Sequence, residues 1–161
     1  MKITFIQTGG TIDKDYLQTT KGWAFEIHDP AFHRVLDRLN PSFEYEVISA
    51  LKKDSLEITE EDRAHLKQVI MDSGSNHIII THGTDTMAQT ADYLSDLDKT
   101  IVITGAMRPE RFSNSDADIN IGMAIATVQS KGPGVYICMH GMVLKYDEID
   151  RNMETGQYLK S

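Results

Sequence analysis

Cysteine occurs once in this sequence of 161 residues, so no internal disulfide can form. Cys138 lies in the apolar run Val135-Tyr136-Ile137-Cys138-Met139. A small thiol there reads as core, and a chain without disulfides suits a reducing compartment. Basic clusters are missing as well. Lys plus Arg number 16 against 24 Asp plus Glu, for a formal net charge of -8, which argues against nucleic acid or an anionic membrane as partner. No apolar run approaches the ~20 residues of a membrane span. An apolar strand pattern begins directly after Lys2, with no h-region of a secretion signal before it, so a cytoplasmic location is expected. Metal-ligand spacing is absent too: the 6 histidines are scattered, and His28 and His33 do not share a helix face. Asp116 and Asp118 precede an apolar helical pattern, where Asp116 is expected as an N-cap rather than a cation ligand. No metal and no cofactor is expected. The 8 methionines read as core filling.

What the sequence does have is a regular alternation of strand-type and helix-type segments, without repeat, low-complexity tract or flexible linker. That alternation predicts a mostly parallel sheet covered by helices, and the length suits one domain, 1–161, able to bury its own core. The first strand is expected to end near Gln7, before a polar stretch over 8–22 long enough to form a flap. Asp29-Pro30 reads as N-cap and first residue of a helix stopped at Asn40-Pro41. Phe43 to Ile48 alternates with Glu44 and Glu46 as a strand near an edge does. Thr59 with Asp62 forms a capping box for a helix ending at Ser73-Gly74. A buried strand over 77–81, a helix over 86–97, a strand over 100–104 and a helix over 119–128 follow. In the last helix, Gly122, Ala124 and Ala126 predict close approach to the sheet. Gly132-Pro133-Gly134 starts the last central strand, and after Gly141 the pattern decays.

Three polar motifs each follow an apolar strand: Thr8-Gly9-Gly10-Thr11 after Ile3-Thr4-Phe5-Ile6, His82-Gly83-Thr84-Asp85-Thr86 after Ile78-Ile79-Ile80, and Gly105-Ala106-Met107-Arg108-Pro109 after Ile101-Val102-Ile103. On neighbouring parallel strands, all three meet at the carboxyl edge of one sheet, where open α/β folds place ligands. Two of them set a threonine beside glycine. A threonine hydroxyl with backbone N–H groups around it is what a nucleophile with an oxyanion site requires. Taken singly, the glycines also serve tight turns, Thr11 also reads as a cap, and Asp85 both caps the following helix and offers a carboxylate to an ammonium ion. His82 has no serine or cysteine tied to it and reads as structural.

In order and spacing, Thr8-Gly9-Gly10-Thr11-Ile12, Thr81-His82-Gly83-Thr84-Asp85-Thr86-Met87 and Thr104-Gly105-Ala106-Met107-Arg108-Pro109 resemble the three signatures of the bacterial-type L-asparaginase and glutaminase family. The resemblance covers that family's N-terminal catalytic domain and not its smaller C-terminal domain. It implies a single Rossmann-like or flavodoxin-like α/β domain with helices on both faces of the sheet. It also implies an amidohydrolase that converts L-asparagine to L-aspartate and ammonia through a threonine acyl-enzyme. By that resemblance Thr11 is the nucleophile, with Tyr16 in the flap bonded to its oxygen; Tyr45 and Tyr136 are alternatives. Thr84 orients water or completes proton transfer, Asp85 holds the substrate α-ammonium and Ser55 binds the α-carboxylate. Gly10, Gly83 and Thr84 offer backbone N–H groups, and Ala106 presents a carbonyl to the departing nitrogen.

Two departures from the family pattern stand out. Arg151 falls where the family has a lysine beside the second threonine and the aspartate, and arginine keeps its proton, so it cannot act as a general base; Lys145 is the alternative occupant. Leu56 replaces a polar residue beside Ser55. Activity is therefore expected to be low. A glutamine-preferring amidase and a module that only binds asparagine or aspartate are the competing expectations. The expected partners are a small-molecule amide and further copies of the chain. Self-association is expected through Met142, Val143, Leu144, Met153, Tyr158 and Leu159, which the sequence pattern leaves without a clear place in the sheet.

Overall fold

The structure is a computed structural model describing residues 1–161. Five strands are parallel: β1 (Lys2–Gly9), β4 (Glu44–Lys53), β5 (His77–Thr81), β6 (Thr100–Thr104) and β7 (Gly134–Met139). With β8 (Met142–Lys145) added antiparallel, the sheet order is β4-β1-β5-β6-β7-β8. Among the parallel strands this is the flavodoxin-type order, whose switch point, between β1 and β5, opens a crevice at the carboxyl ends. The central strands are apolar on both faces because helices cover both. Ile3, Phe5, Ile79, Val102 and Cys138 pack under α1 (Ala31–Leu39) and α4 (Ala117–Ser130). Ile6, Ile78, Ile80, Ile101, Ile103 and Ile137 pack under α2 (Glu60–Asp72) and α3 (Met87–Tyr93). Cys138 is a buried free thiol in that core, as its neighbours predict.

The expected flap is a β-hairpin, β2 (Lys14–Thr19) paired antiparallel with β3 (Gly22–Ile27), leaving the sheet through a tight turn at Thr11–Asp13. It runs further than the polar stretch suggests, because Trp23, Phe25 and Ile27 form its return strand.

Several local expectations need correction. Asp29 does not cap α1, which starts at Ala31 after Pro30. The acceptor for its first N–H is Asp13 Oδ1, 2.7 Å from the Ala31 nitrogen and 18 residues away in sequence. Asp116 gives α4 no side-chain cap; its carboxylate accepts instead from the Met107 and Arg108 N–H groups, and Ser115 Oγ accepts from Ala117 N. Within α4, Ala124 faces the sheet with Ala117 and Ile121, whereas a methyl group on Gly122 would meet open space and Ala126 is exposed. The third helix stops at Tyr93, short of Leu97, because Ser95, Asp96 and Asp98 favour turns over helix.

The tail also has a place that the sequence pattern does not reveal. His140 (φ 54°) and Gly141 (φ 77°) make a two-residue turn with both φ values positive, the geometry of a tight hairpin. It sends Met142, Val143 and Leu144 back along β7, with Leu144 buried. A second hairpin, β9 (Ile149–Arg151) with β10 (Tyr158–Lys160), pairs Arg151 with Tyr158 and buries the tyrosine ring. Met142, Val143, Met153 and Leu159 stay exposed.

Candidate active site

Close backbone contact brings the motifs together. Gly10 has φ 85°, and a Cβ there would lie 2.5 Å from the Gly83 nitrogen. Only glycine allows the first two motifs to pass so closely. A Cβ on Gly83 would lie 2.7 Å from Ser55 Oγ, which draws the turn Ser55–Glu57 into the same place. Gly105 in turn packs on the His82 carbonyl, and Ile12 O accepts from Glu110 N at 3.1 Å, joining the third motif to the Thr11 turn. Thr11 and Thr84, both half-buried, thus stand on either side of the switch point. Ala106 is buried against Ile12 in one core cluster.

Gly10 is corrected in one respect. Its N–H donates to Lys53 O at 3.1 Å, so it is not a free donor, and the residue's contribution is room. Around the second motif the bonding is dense. Asp85 N donates to Ser55 Oγ at 3.2 Å and Thr86 Oγ1 to Ser55 O at 2.8 Å. Because Ser55 Oγ accepts there, its own proton remains for a ligand.

Arg151 lies against Thr84 and Asp85. Nη1 donates to Thr84 O at 2.9 Å and to Asp85 Oδ1 at 3.3 Å, and Nε to Gly156 O at 3.2 Å. The guanidinium lies 5.2 Å from the centre of the Tyr158 ring. Lys145 is bound elsewhere, to Asp147 at 3.4 Å and over the Tyr146 ring. Tyr16 sits on the hairpin, 56% exposed, with its ring 4.9 Å from Phe25 and 6.1 Å from Phe112; no hydrogen bond ties its hydroxyl to the Thr11 turn. Tyr45 packs near Phe5 and Phe43, and Tyr136 OH bonds to Gly132 O, so neither alternative tyrosine is held to that turn.

Two site neighbours, Tyr158 and Asp13, escape sequence reasoning, and a third, His82, is read there only as structural. Tyr158 OH donates to Thr84 O, and burial pushes its hydroxyl up to about 12. Asp13 is buried two residues past Thr11, accepts from Ala31 N and Thr81 Oγ1, and is pushed up to about 6 by burial. His82 is fully buried, and burial pushes its ring down to about 4, so it is neutral at ordinary pH. The one available signal is Asp13's place inside the first motif's turn. Tyr158 and the Thr90 partner of His82 depend on tertiary contacts.

The cavities of the molecule lie elsewhere: one between α1 and α4 around Val35, Arg38 and Ile125, one beside it around Asn40, Phe43 and Gln129, and one at the opposite sheet edge around His77, Lys99 and Lys131. The switch-point site is an open shelf. It contains a hydroxyl beside close-packed glycines, a carboxylate held by a permanent cation, and a serine proton donor. That set suits nucleophilic attack on a carbonyl of a ligand carrying both an ammonium and a carboxylate. No cluster of His, Cys, Asp or Glu fits a metal ion.

The model of the family described as Asparaginase, N-terminal, matches residues 2–155. The chain belongs to the asparaginase family. Its sequence is 32% identical over 147 residues to the L-asparaginase of Bacillus licheniformis, covering 84% of this chain and 45% of that protein. It is 27% identical to the glutaminase-asparaginase of Acinetobacter glutaminasificans, covering 94% of this chain and 50% of that protein. It is also 32% identical to a glutamyl-tRNA(Gln) amidotransferase component of Methanococcus vannielii, covering 96% of this chain and 37% of that one. In structure it resembles the thermostable L-asparaginase from Thermococcus kodakarensis with a TM-score of 0.84 at 26% identity, covering 99% of this chain and 51% of that one. The chain therefore spans about half the length or less of these relatives. The fold expectation holds: the sheet order and its two helical layers are those of an asparaginase-type domain. No helix is long and apolar enough to cross a membrane.

Proposed function

We propose that this asparaginase-family domain hydrolyses the side-chain amide of L-asparagine to L-aspartate and ammonia, with Thr11 as nucleophile. The observation that carries the proposal is the convergence of Thr11, Thr84, Asp85 and Ser55 at the switch point, where Gly10 and Gly83 touch. Thr11 Oγ attacks the amide carbon as its proton passes by way of the Tyr16 hydroxyl to the amide nitrogen, and the tetrahedral oxyanion is stabilised by the Gly83 and Thr84 N–H groups, each well-placed donor being worth about 3–4 kcal/mol. The C–N bond breaks as the nitrogen takes up the proton that left Thr11, and Ala106 O accepts from the leaving ammonia. Water then cleaves the aspartyl ester and returns the proton to Thr11.

Recognition falls to Asp85, which pairs with the α-ammonium, and Ser55, which donates to the α-carboxylate. Tyr16 acts in proton transfer when the hairpin folds over the shelf. Arg151 holds Asp85 and the Thr84 carbonyl in place, but its fixed charge removes the general base. Turnover is accordingly slow. Arg151 is also what favours a second reading, a module that binds asparagine or aspartate without turnover. Self-association through the exposed Met142, Val143, Met153 and Leu159 belongs to the same proposal, as does a cytoplasmic location for a protein with a single buried thiol.

Ammonia release from asparagine, glutamine and an amine-free amide, run beside calorimetric titration with L-aspartate, tests the choice. Release from asparagine alone supports the proposal. Faster release from glutamine moves the substrate, and aspartate binding without release from any amide selects the binding module.

A further inference from the structure

A buried row of hydrogen bonds runs from α2 through α3 to the second motif. Arg63 Nε donates to Thr90 Oγ1 at 3.1 Å, Thr90 Oγ1 lies 2.8 Å from His82 Nε2, and His82 Nδ1 lies 2.7 Å from Gly83 O. His82 and Thr90 are fully buried and Arg63 is 6% exposed. Arg63 Nη1 also meets Glu60 at 2.8 Å, so its charge is balanced at the outer end.

Both ends of this row have fixed polarity. A guanidinium Nε only donates, and a carbonyl oxygen only accepts. The imidazole must therefore carry its proton on Nδ1 toward Gly83 O, and Nε2 must accept from Thr90. A trans peptide sets its N–H opposite its C=O. With Gly83 O held toward the buried ring, the Thr84 N–H faces away from the core and onto the shelf. The next peptide is held in the same way: Thr84 O is taken by Arg151 and Tyr158, and Asp85 N faces Ser55.

We propose that the Arg63–Thr90–His82 row is a positioning device that locks His82 as the Nδ1–H tautomer and thereby aims the Thr84 N–H at the reacting carbonyl. The inference rests on the amidohydrolase reading of the shelf and assigns three buried residues behind that site a task in it. His82 is a positioning residue, not a base. It never gains or loses a proton in the cycle, and burial keeps it neutral down to a pH of about 4. Thr90 matters through its hydroxyl, which both accepts from Arg63 and donates to His82. A valine of the same shape fills the space and breaks the row.

The test uses the whole chain with ring-labelled histidine. Nitrogen NMR at neutral pH reads the His82 tautomer, and steady-state kinetics reads ammonia release from asparagine. The proposal expects Nδ1–H in the parent, a shifted Nε2 resonance in Thr90→Val as that nitrogen loses its donor, with kcat down about 10- to 100-fold and KM changed far less, and recovery of both readouts in Thr90→Ser. If Thr90→Val does not fold, Arg63→Met removes the outer donor and is read in the same way. A parent His82 protonated at Nε2 overturns the proposal, whatever the activity. So does a folded Thr90→Val that loses the Nε2 hydrogen bond yet keeps full kcat. A parent that releases no ammonia from any amide refutes the amidohydrolase reading and, with it, the aiming of Thr84; the NMR then decides the tautomer lock alone.

Discussion

Replacing Asp13 by asparagine isolates the cost of one buried charge. The carboxylate accepts from Ala31 N at 2.7 Å and from Thr81 Oγ1 at 3.3 Å, and an amide keeps both contacts with Nδ2 donating to Thr81. Burial pushes Asp13 up to about 6 from its ordinary 3.8, against the opposing pull of the Ala31, Gln7 and Thr81 hydrogen bonds and the charge of Arg34. Between these values the folded protein binds more protons than the unfolded chain, so stability falls as pH rises through the window. The shift corresponds to about 3 kcal/mol lost by pH 7. The amide of the variant has nothing to titrate. The stability of Asp13→Asn relative to the parent should therefore improve by about 2.5 kcal/mol from pH 4 to pH 7, roughly 5–10 °C in Tm for a chain of this size. Urea unfolding across that range measures it, with all other titrating groups cancelling in the difference. A difference that does not change with pH refutes the buried charge. One that moves against the variant shows a carboxylate stabilised by its partners rather than penalised.

Arg151→Lys restores a group able to give up a proton, and kcat for asparagine should rise at least about tenfold in steady-state assays; an unchanged or lower rate would mean that the two hydrogen bonds from Arg151 to Thr84 O and Asp85 matter more than a base. Asp85→Asn should raise KM for asparagine about tenfold and leave an amine-free amide unaffected. Gly83→Ala sets a methyl group 2.7 Å from Ser55 Oγ and should destabilise the fold by about 1–3 kcal/mol in denaturant titration.

Local chemistry is legible wherever partners lie close in sequence. The Thr59–Asp62 box forms as read, with Thr59 N donating to Asp62 Oδ2 at 2.9 Å and Asp62 N to Thr59 Oγ1 at 3.2 Å. The Asn-Pro pair stops α1 as read, with Asn40 in the left-handed conformation. The apolar strands and the polar motifs after them are legible because burial on both faces leaves no alternation to misread. Partners distant in sequence are not. Asp13 caps a helix that begins 18 residues later, and the nearer Asp29 offers a plausible substitute by pattern alone. Asp116 has the look of a cap but clamps the third motif's backbone. His140-Gly141 lacks the Asn-Gly or Asp-Gly form that announces a hairpin, so the strand it returns, and the tail that brings Arg151 and Tyr158 to Thr84, read as residual chain. Arg151 is found through resemblance, and Tyr158 reads as surface.

The central claim is a covalent bond to Thr11, and trapping it is the most direct test. The chain is mixed with asparagine and quenched in acid within the first turnovers, and its peptides are weighed, alongside Thr11→Ala. The account predicts one aspartyl group, as an ester, on the peptide holding Thr11, absent from the variant, whose ammonia release should fall at least about a thousandfold. Ammonia release by Thr11→Ala at near the parent rate, or an aspartyl ester on the peptide holding Thr84 instead, contradicts it.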